Sequence, residues 1–205
     1  ARPADEVIRQ AAALLSGARR PVILAGRVSR DEAGWQQRIQ LAETLNAEVL
    51  TDLKVGCAFP TDHPLHAAPG GHFLNATAKE VLRSADVVLS LDWLDLAGTL
   101  KQAWEGDAVS SKIIQVSVDH YSHNGWSMDH QGLPPVDLFL LSEPEPAVEL
   151  LNQHVKPRLS TLPKRAATPP LNGPTLNEPT QGPLTVAILA GVLRHAIGGE
   201  QTCLV

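Results

Sequence analysis

The chain has 205 residues, of which 43% are hydrophobic and 19% charged, a composition typical of globular rather than disordered proteins. Its formal net charge is −5 and its basic residues form no run, so the sequence indicates no nucleic-acid partner. Because no apolar stretch could span a bilayer and the first residues lack the pattern of a secretory leader, we expect a cytoplasmic protein without a membrane contact.

The two cysteines, Cys57 and Cys203, lie far apart in the sequence. Their spacing matches neither a zinc site nor a paired-thiol motif, and a domain of this size needs no disulfide. We therefore expect both to be reduced.

Helical and strand patterns alternate from the start of the chain, which favours a parallel sheet. Apolar residues at helical spacing predict a helix over residues 4–16. A short, continuous apolar run predicts a strand over 21–26 that is covered on both faces. A helix over 31–46 and a strand over 48–52 follow.

A loop is predicted over residues 53–72, which are rich in Gly, Pro and His. Loops of that length in a compact domain are usually functional or packed against another domain. The alternation then resumes, with a further loop over 119–135. We predict helices over 75–84, 95–104 and 145–154, and strands over 86–91, 112–118 and 136–141.

The composition changes after residue 156. Seven prolines lie within 157–183, which predicts an extended linker. A helix over 184–197 and the opening of a strand over 201–205 follow. We expect a first domain over 1–156 and, over 184–205, the truncated start of another, so that both ends of the chain fall inside a longer protein.

Several stretches resemble the central domain of thiamine-diphosphate-dependent enzymes of the acetolactate synthase and benzoylformate decarboxylase group. The loop GCAFPTDHPL at 56–65 is the most specific of them. The likeness covers roughly residues 5–155. The other stretches that carry it are ARRPVILAG at 18–26, LAETLNAEV at 41–49, SADVVLSL at 84–91 and KIIQVSVD at 112–119.

The resemblance implies an α/β fold, a three-layer α/β/α Rossmann-like parallel sheet of about six strands, similar to the DHS-like NAD/FAD-binding fold. It implies a parent lyase or transferase that decarboxylates or ligates 2-oxo acids, assembled as a homodimer or homotetramer. Flanking pyrimidine- and pyrophosphate-binding domains of the same chain would hold thiamine diphosphate and Mg²⁺. The domain itself would contain no catalytic residue and no metal ligand.

The strand exits offer a candidate nucleotide site, because phosphate binds where a strand of a doubly wound sheet turns into a helix. In flavin-dependent relatives this region holds an adenine nucleotide. The alternative is a set of structural turns and surface acids, which we favour because the Gly-x-Gly-x-x-Gly motif is missing and Asp92 offers bulk where many relatives have glycine. The candidate residues are Gly26, Arg27, Ser29, Asp92 and Asp119.

Two further interpretations remain open. A metal could bind the loop that contains His120, His123, Asp129 and His130, although their spacing fits no strong zinc signature. The chain could also be a free-standing FAD- or NAD(P)-binding domain, as in electron-transfer flavoproteins or transhydrogenases. We rank a purely structural domain above any that binds FAD or ADP.

Overall fold

The computed structural model describes residues 2–119, 132–157 and 184–197. The chain divides into two compact units, Ala1–Arg165 and Ala166–Val205. Within the described part of the second unit lies one helix, Val186–Ile197, which agrees with the helix predicted there. The predicted strand over 201–205 and, apart from residue 157, the linker predicted over 157–183 lie outside the described residues.

The first unit alternates helices and strands, as the sequence patterns predict. Its helices are α1 (Asp5–Gly17), α2 (Glu32–Leu45), α3 (Ala76–Ser84), α4 (Leu96–Trp104) and α5 (Pro144–His154); its strands are β1 (Pro21–Ala25), β2 (Glu48–Thr51), β3 (His66–Ala68), β4 (Val87–Leu91), β5 (Lys112–Ser117) and β6 (Leu138–Leu141).

All six strands are parallel, in the order β3-β2-β1-β4-β5-β6. In this order β1 and β4 are neighbours at the centre of the sheet. From β1 the chain continues to β2 on one side, whereas from β4 it continues to β5 on the other side. The gap between their carboxyl ends is the topological switch point, where doubly wound sheets bind ligands.

The sheet is covered on both faces, because alternate side chains of each strand enter two separate cores. From β1, Ile23 and Ala25 pack on the face that carries α1, α2 and α5, whereas Val22 and Leu24 pack on the face that carries α3 and α4. The predicted three-layer α/β/α arrangement is therefore confirmed, and β1 is fully buried as its continuous apolar run indicates.

One strand departs from the sequence prediction. The segment predicted as a single loop over 53–72 contains β3, which pairs with β2 at the edge of the sheet. The sequence of β3 is His-Ala-Ala, with no β-branched residue and too few positions for an alternating pattern. Pairing with an existing edge strand, rather than local propensity, determines this element.

Candidate functional site at the carboxyl edge of the sheet

Three charged side chains meet at the switch point, each just beyond the end of a strand. Arg27 follows β1, Asp92 follows β4 and Asp119 follows β5. Because these strands are adjacent and parallel, their exits lie side by side. The fold therefore brings together residues that are up to 92 positions apart in the sequence.

Arg27 bridges the other two exits through one nitrogen of its guanidinium group. Its Nη2 donates to Asp92 Oδ1 at 2.9 Å and also to Asp119 Oδ2. Ser117 Oγ donates to the same Asp92 oxygen at 2.7 Å and accepts from Asp119 N at 3.0 Å. The two carboxylates and the hydroxyl thus form one hydrogen-bonded group around the arginine.

The backbone also closes the gap between β1 and β4. Gly26 N donates to Leu91 O and Arg27 N donates to Asp92 O, both at 3.0 Å. A Cβ at Gly26 would lie 2.6 Å from Trp93 Cα. A glycine is therefore needed here, because the backbone of Asp92 and Trp93 lies where a side chain of residue 26 would project.

Asp92 has a backbone φ of 53°, in the left-handed region that most side chains avoid. Aspartate is among the few residues that tolerate this conformation. Its side chain is only 10% exposed and is held by Arg27 and Ser117. A turn that would suit glycine therefore holds an aspartate, and its carboxylate accepts hydrogen bonds from Arg27 and Ser117.

Ser29 lies in a second group, on the α2–α5 side of β1, rather than with the switch-point residues. Its backbone N donates to Glu145 Oε1, and its carbonyl accepts from Arg38 Nη2 at 2.9 Å. Arg38 Nε donates to Ala58 O at 2.9 Å, and Arg38 Nη1 lies 3.5 Å from Glu145 Oε1. This Arg38 cluster ties the β1–α2 connection to the 56–65 loop and to the first turn of α5.

The first turn of α2 already has an anionic cap. Asp31 Oδ1 accepts from Gly34 N at 2.8 Å. A hydrogen bond from Ser29, together with the one from Gly34, holds the pKa of Asp31 below its usual value. A phosphate at this helix start would have to displace a carboxylate that the turn itself supplies.

The two arginines differ in their electrostatic environment. Burial alone would lower the pKa of Arg27, but its hydrogen bonds to Asp119 and Asp92 outweigh that effect and raise it. Burial lowers the pKa of Arg38, whose nearest carboxylate, Glu145, compensates only in part. Arg27 is therefore a cation held by excess negative charge, and Arg38 a desolvated cation held mainly by carbonyl oxygens.

The groups that would receive a nucleotide at the switch point are engaged within the protein. The guanidinium of Arg27 serves two carboxylates, and the space beside Gly26 is filled by the backbone of Asp92 and Trp93. A cavity of about 420 Å³ lies elsewhere in the described residues, between the C-terminal turns of α1 and α5, where Ser16 and His154 contribute to its lining. At the switch point, Gly26 and Arg27 are thus in contact with other residues of the same chain.

A divalent cation, such as a bound diphosphate needs, requires a cluster of oxygen ligands. Among residues 2–119, 132–157 and 184–197, no group of three or more His, Cys, Asp or Glu could hold a metal ion. The same ranges contain no helix that is both long and apolar enough to cross a bilayer.

The structure brings together four of the five predicted site residues and separates one. Gly26, Arg27, Asp92 and Asp119 meet at the switch point, whereas Ser29 belongs to the Arg38 cluster. The predicted metal-binding candidates His120, His123, Asp129 and His130 lie outside the described residues.

Sequence reasoning missed Arg38 and Glu145. Arg38 lies on the buried face of α2 with Gly34, Leu41, Ala42 and Leu45. A charged residue within an apolar stripe at helical spacing is the signal that could have identified it, since buried charges are almost always paired.

Comparison with known proteins identifies the family. A family model described as "Thiamine pyrophosphate enzyme, central domain" matches residues 8–130, more than half of the chain. The chain belongs to this family. The predicted resemblance is therefore confirmed, and the interpretation as a free-standing electron-transfer or transhydrogenase domain is not favoured.

Curated relatives of this central domain are a third or more identical to it over the aligned residues. A sulfoacetaldehyde acetyltransferase from Roseovarius nubinhibens is 39% identical over 119 residues, which cover 56% of the chain and 19% of that protein. An acetolactate synthase from Mycobacterium avium is 35% identical over 91 residues, 44% of the chain and 14% of that protein. The chain thus matches at most about a fifth of the length of these relatives.

A solved structure confirms the fold. The crystal structure of benzoylformate decarboxylase from Polynucleobacter necessarius aligns with 98% of the chain and 35% of its own length, at a TM-score of 0.65 and 19% identity. At that identity the likeness establishes the architecture alone.

Proposed function

We propose that this chain is the structural central domain of a longer, cytoplasmic enzyme that decarboxylates or ligates 2-oxo acids with thiamine diphosphate and Mg²⁺. Flanking pyrimidine- and pyrophosphate-binding domains of the same polypeptide hold the cofactor, and the enzyme is a homodimer or homotetramer. The first domain ends near residue 156, 157–183 is a linker, and 184–205 begins the pyrophosphate-binding domain.

The match of residues 8–130 to the central-domain family is the observation that carries this proposal. The short share of each relative that the chain covers is consistent with further domains.

An activity assay of the longer protein tests the proposed reaction. It should release CO₂ from pyruvate or benzoylformate only when both thiamine diphosphate and Mg²⁺ are supplied, since the cofactor stabilises the carbanion that decarboxylation leaves. If the protein with both cofactors bound converts neither of these 2-oxo acids, the proposed substrate class is wrong. The oligomeric state follows from sedimentation of the same sample.

The curated relatives favour a second candidate reaction for the longer protein. Sulfoacetaldehyde acetyltransferases reach 42% identity with the chain, above the 35% of acetolactate synthase. The alternative is therefore that the longer protein acts on sulfoacetaldehyde. Consumption of sulfoacetaldehyde that requires thiamine diphosphate and Mg²⁺, and no CO₂ release from benzoylformate, would establish it.

Within the chain itself, we propose that the switch point is structural and that Gly26, Arg27, Ser29, Asp92 and Asp119 hold no nucleotide. The engagement of Arg27 by two carboxylates supports this. Thermal unfolding with ADP, FAD, NAD and coenzyme A tests it. A ligand at 100 times its dissociation constant adds about 2.7 kcal/mol, and each kcal/mol raises the midpoint of a domain of this size by about 2–4 °C.

We expect no shift with any of the four compounds. A shift with ADP and FAD that disappears in Arg27→Ala would instead assign these residues to a nucleotide site.

A further inference from the structure

The cavity between α1 and α5 lies at the amino edge of the sheet, opposite to the switch point, because α1 ends at Gly17, just before β1 begins at Pro21. Its volume of about 420 Å³ is within the range of about 300–1,000 Å³ that is common for small-molecule sites. We infer that this cavity binds a small, linear organic dicarboxylate. The inference goes beyond the proposed function and does not depend on it.

The charge of the lining differs from that of the whole protein. The chain has 22 acidic and 17 basic residues, yet the described residues that line the cavity include Arg9, His154 and Lys156 and no acidic residue. Within the described part of the chain, the side chains of His154 and Lys156 have no hydrogen bond or ion pair. Arg9 donates from Nη2 to Glu6 Oε2 at 2.7 Å, and a guanidinium has further N–H donors for a ligand.

The basic groups lie at two ends of the cavity. Ser16 follows Arg9 by two helical turns of α1, which is about 10 Å along the helix axis. Lys156 lies at the Ser16 end, because its backbone N donates to Ser16 Oγ at 3.0 Å. Ala12 and Ala13 line the cavity between the two ends. A ligand with a carboxylate at each end and a short apolar span between them matches this arrangement.

The helix ends beside the cavity leave this pattern in place. A helix C-terminus carries about half a negative charge, whose effect falls off within the last turn. Arg9 is two turns from the end of α1, and His154, in the last turn of α5, offsets the charge of that end. Gly17 adds space rather than charge, since a Cβ there would have no atom within 4 Å.

The experiment is a titration of the ¹⁵N-labelled 205-residue chain at neutral pH and low ionic strength, followed by NMR. Glutarate should give saturable shifts centred on the amides of Ser16, Gly17 and Lys156. Butyrate, which is glutarate without its second carboxylate, should bind at least about tenfold more weakly, because the charge-assisted hydrogen bonds at one end are lost. Inorganic phosphate, a compact anion that cannot reach both ends, should also bind more weakly than glutarate.

Two variants test the charges and the shape of the cavity separately. Arg9→Gln/Lys156→Gln should weaken glutarate binding at least about tenfold. The matched control Arg83→Gln/Lys101→Gln makes the same change in net charge at exposed positions of α3 and α4, on the other face of the sheet, and should leave the affinity unchanged. Ala13→Leu keeps the charge, places a good helix former at an exposed position, and should block the cavity.

The inference is wrong if glutarate binds no more tightly than butyrate or phosphate, or if no saturable shift is seen at the α1 and α5 amides. Equal losses of affinity in the control and in the Arg9/Lys156 variant would also overturn it, since they would reflect net charge alone. Unchanged glutarate binding in Ala13→Leu would show that the ligand lies outside the cavity. None of these results affects the proposed reaction, which the activity of the longer protein tests.

Discussion

Arg27 and Arg38 both follow β1, within 12 residues of each other, yet the structure uses them differently. Arg27 is partly exposed and is surrounded by two carboxylates, which raise its pKa. Arg38 is 3% exposed and bonds mainly to the carbonyl oxygens of Ser29 and Ala58. The comparison teaches that one residue type can form a partly exposed ion-pair group at the sheet edge or, when buried, hold loops in place through their carbonyl oxygens.

Removing Arg38 should have the largest effect on stability. Arg38→Met leaves the carbonyls of Ser29 and Ala58 without their arginine donor and Glu145 without its ion-pair partner, and each buried acceptor left unsatisfied costs about 1–3 kcal/mol. Urea unfolding measures this loss. The exposed Arg20→Met is the matched control and should change stability by less than about 0.5 kcal/mol; equal losses in both variants would contradict the assigned role of Arg38.

Adding a methyl group at Gly26 should have the next largest effect. The new Cβ would meet the backbone of Asp92 and Trp93, which cannot move without disturbing β4. Overpacking of this kind costs about 1–3 kcal/mol. Gly17 at the end of α1 has open space around it and provides the control. Gly17→Ala should be neutral or stabilising, and a Gly26→Ala variant as stable as the natural chain would show that the strand exits separate easily.

Removing Arg27 should cost much less than removing Arg38. Exposed ion pairs contribute about 0.2–1 kcal/mol, and Ser117 still donates to Asp92 in its absence. Arg27→Met should therefore destabilise the chain by about 1 kcal/mol. A double-mutant cycle with Asp119→Asn, followed by urea unfolding, measures the coupling. A loss as large as that of Arg38→Met would remove the distinction between the two arginines.

The smallest effect is expected at Asp137, at the opposite edge of the sheet. Burial alone would raise the pKa of Asp137, but hydrogen bonds from Lys112 Nζ at 2.6 Å and Ile113 N at 2.8 Å hold it below its usual value. A depressed pKa stabilises the fold above the unfolded value, near pH 4, and the stabilisation is lost as the pH falls through the folded value.

Unfolding of Asp137→Asn as a function of pH tests this. The variant should be slightly less stable than the natural chain at pH 7, and the difference should shrink below about pH 4. A difference that stays constant down to acidic pH would show that the carboxylate charge of Asp137 does not contribute.

The sequence predicts most of this fold because its strands are encoded locally. The continuous apolar runs of β1 and β4 and the helical spacing of α1 identify a covered parallel sheet without knowledge of its strand order. Only β3 was missed, since three residues without a β-branched side chain carry no periodic signal and depend on β2 for their pairing.

The site is less predictable than the fold because its contacts are long-range. Asp92 and Asp119 could be placed at strand ends from the sequence, but their convergence on Arg27 depends on β1, β4 and β5 being adjacent. Ser29 was assigned to the same site, but its backbone contacts with Glu145 of α5 and Arg38 of α2 place it in a different group.

The most direct test of the closed switch point is a crystal structure of the 205-residue chain grown with saturating ADP. The account predicts Arg27 in contact with both Asp92 and Asp119, and no nucleotide between the exits of β1 and β4. Density for ADP at that edge, with Arg27 turned from the carboxylates to a phosphate, would contradict it.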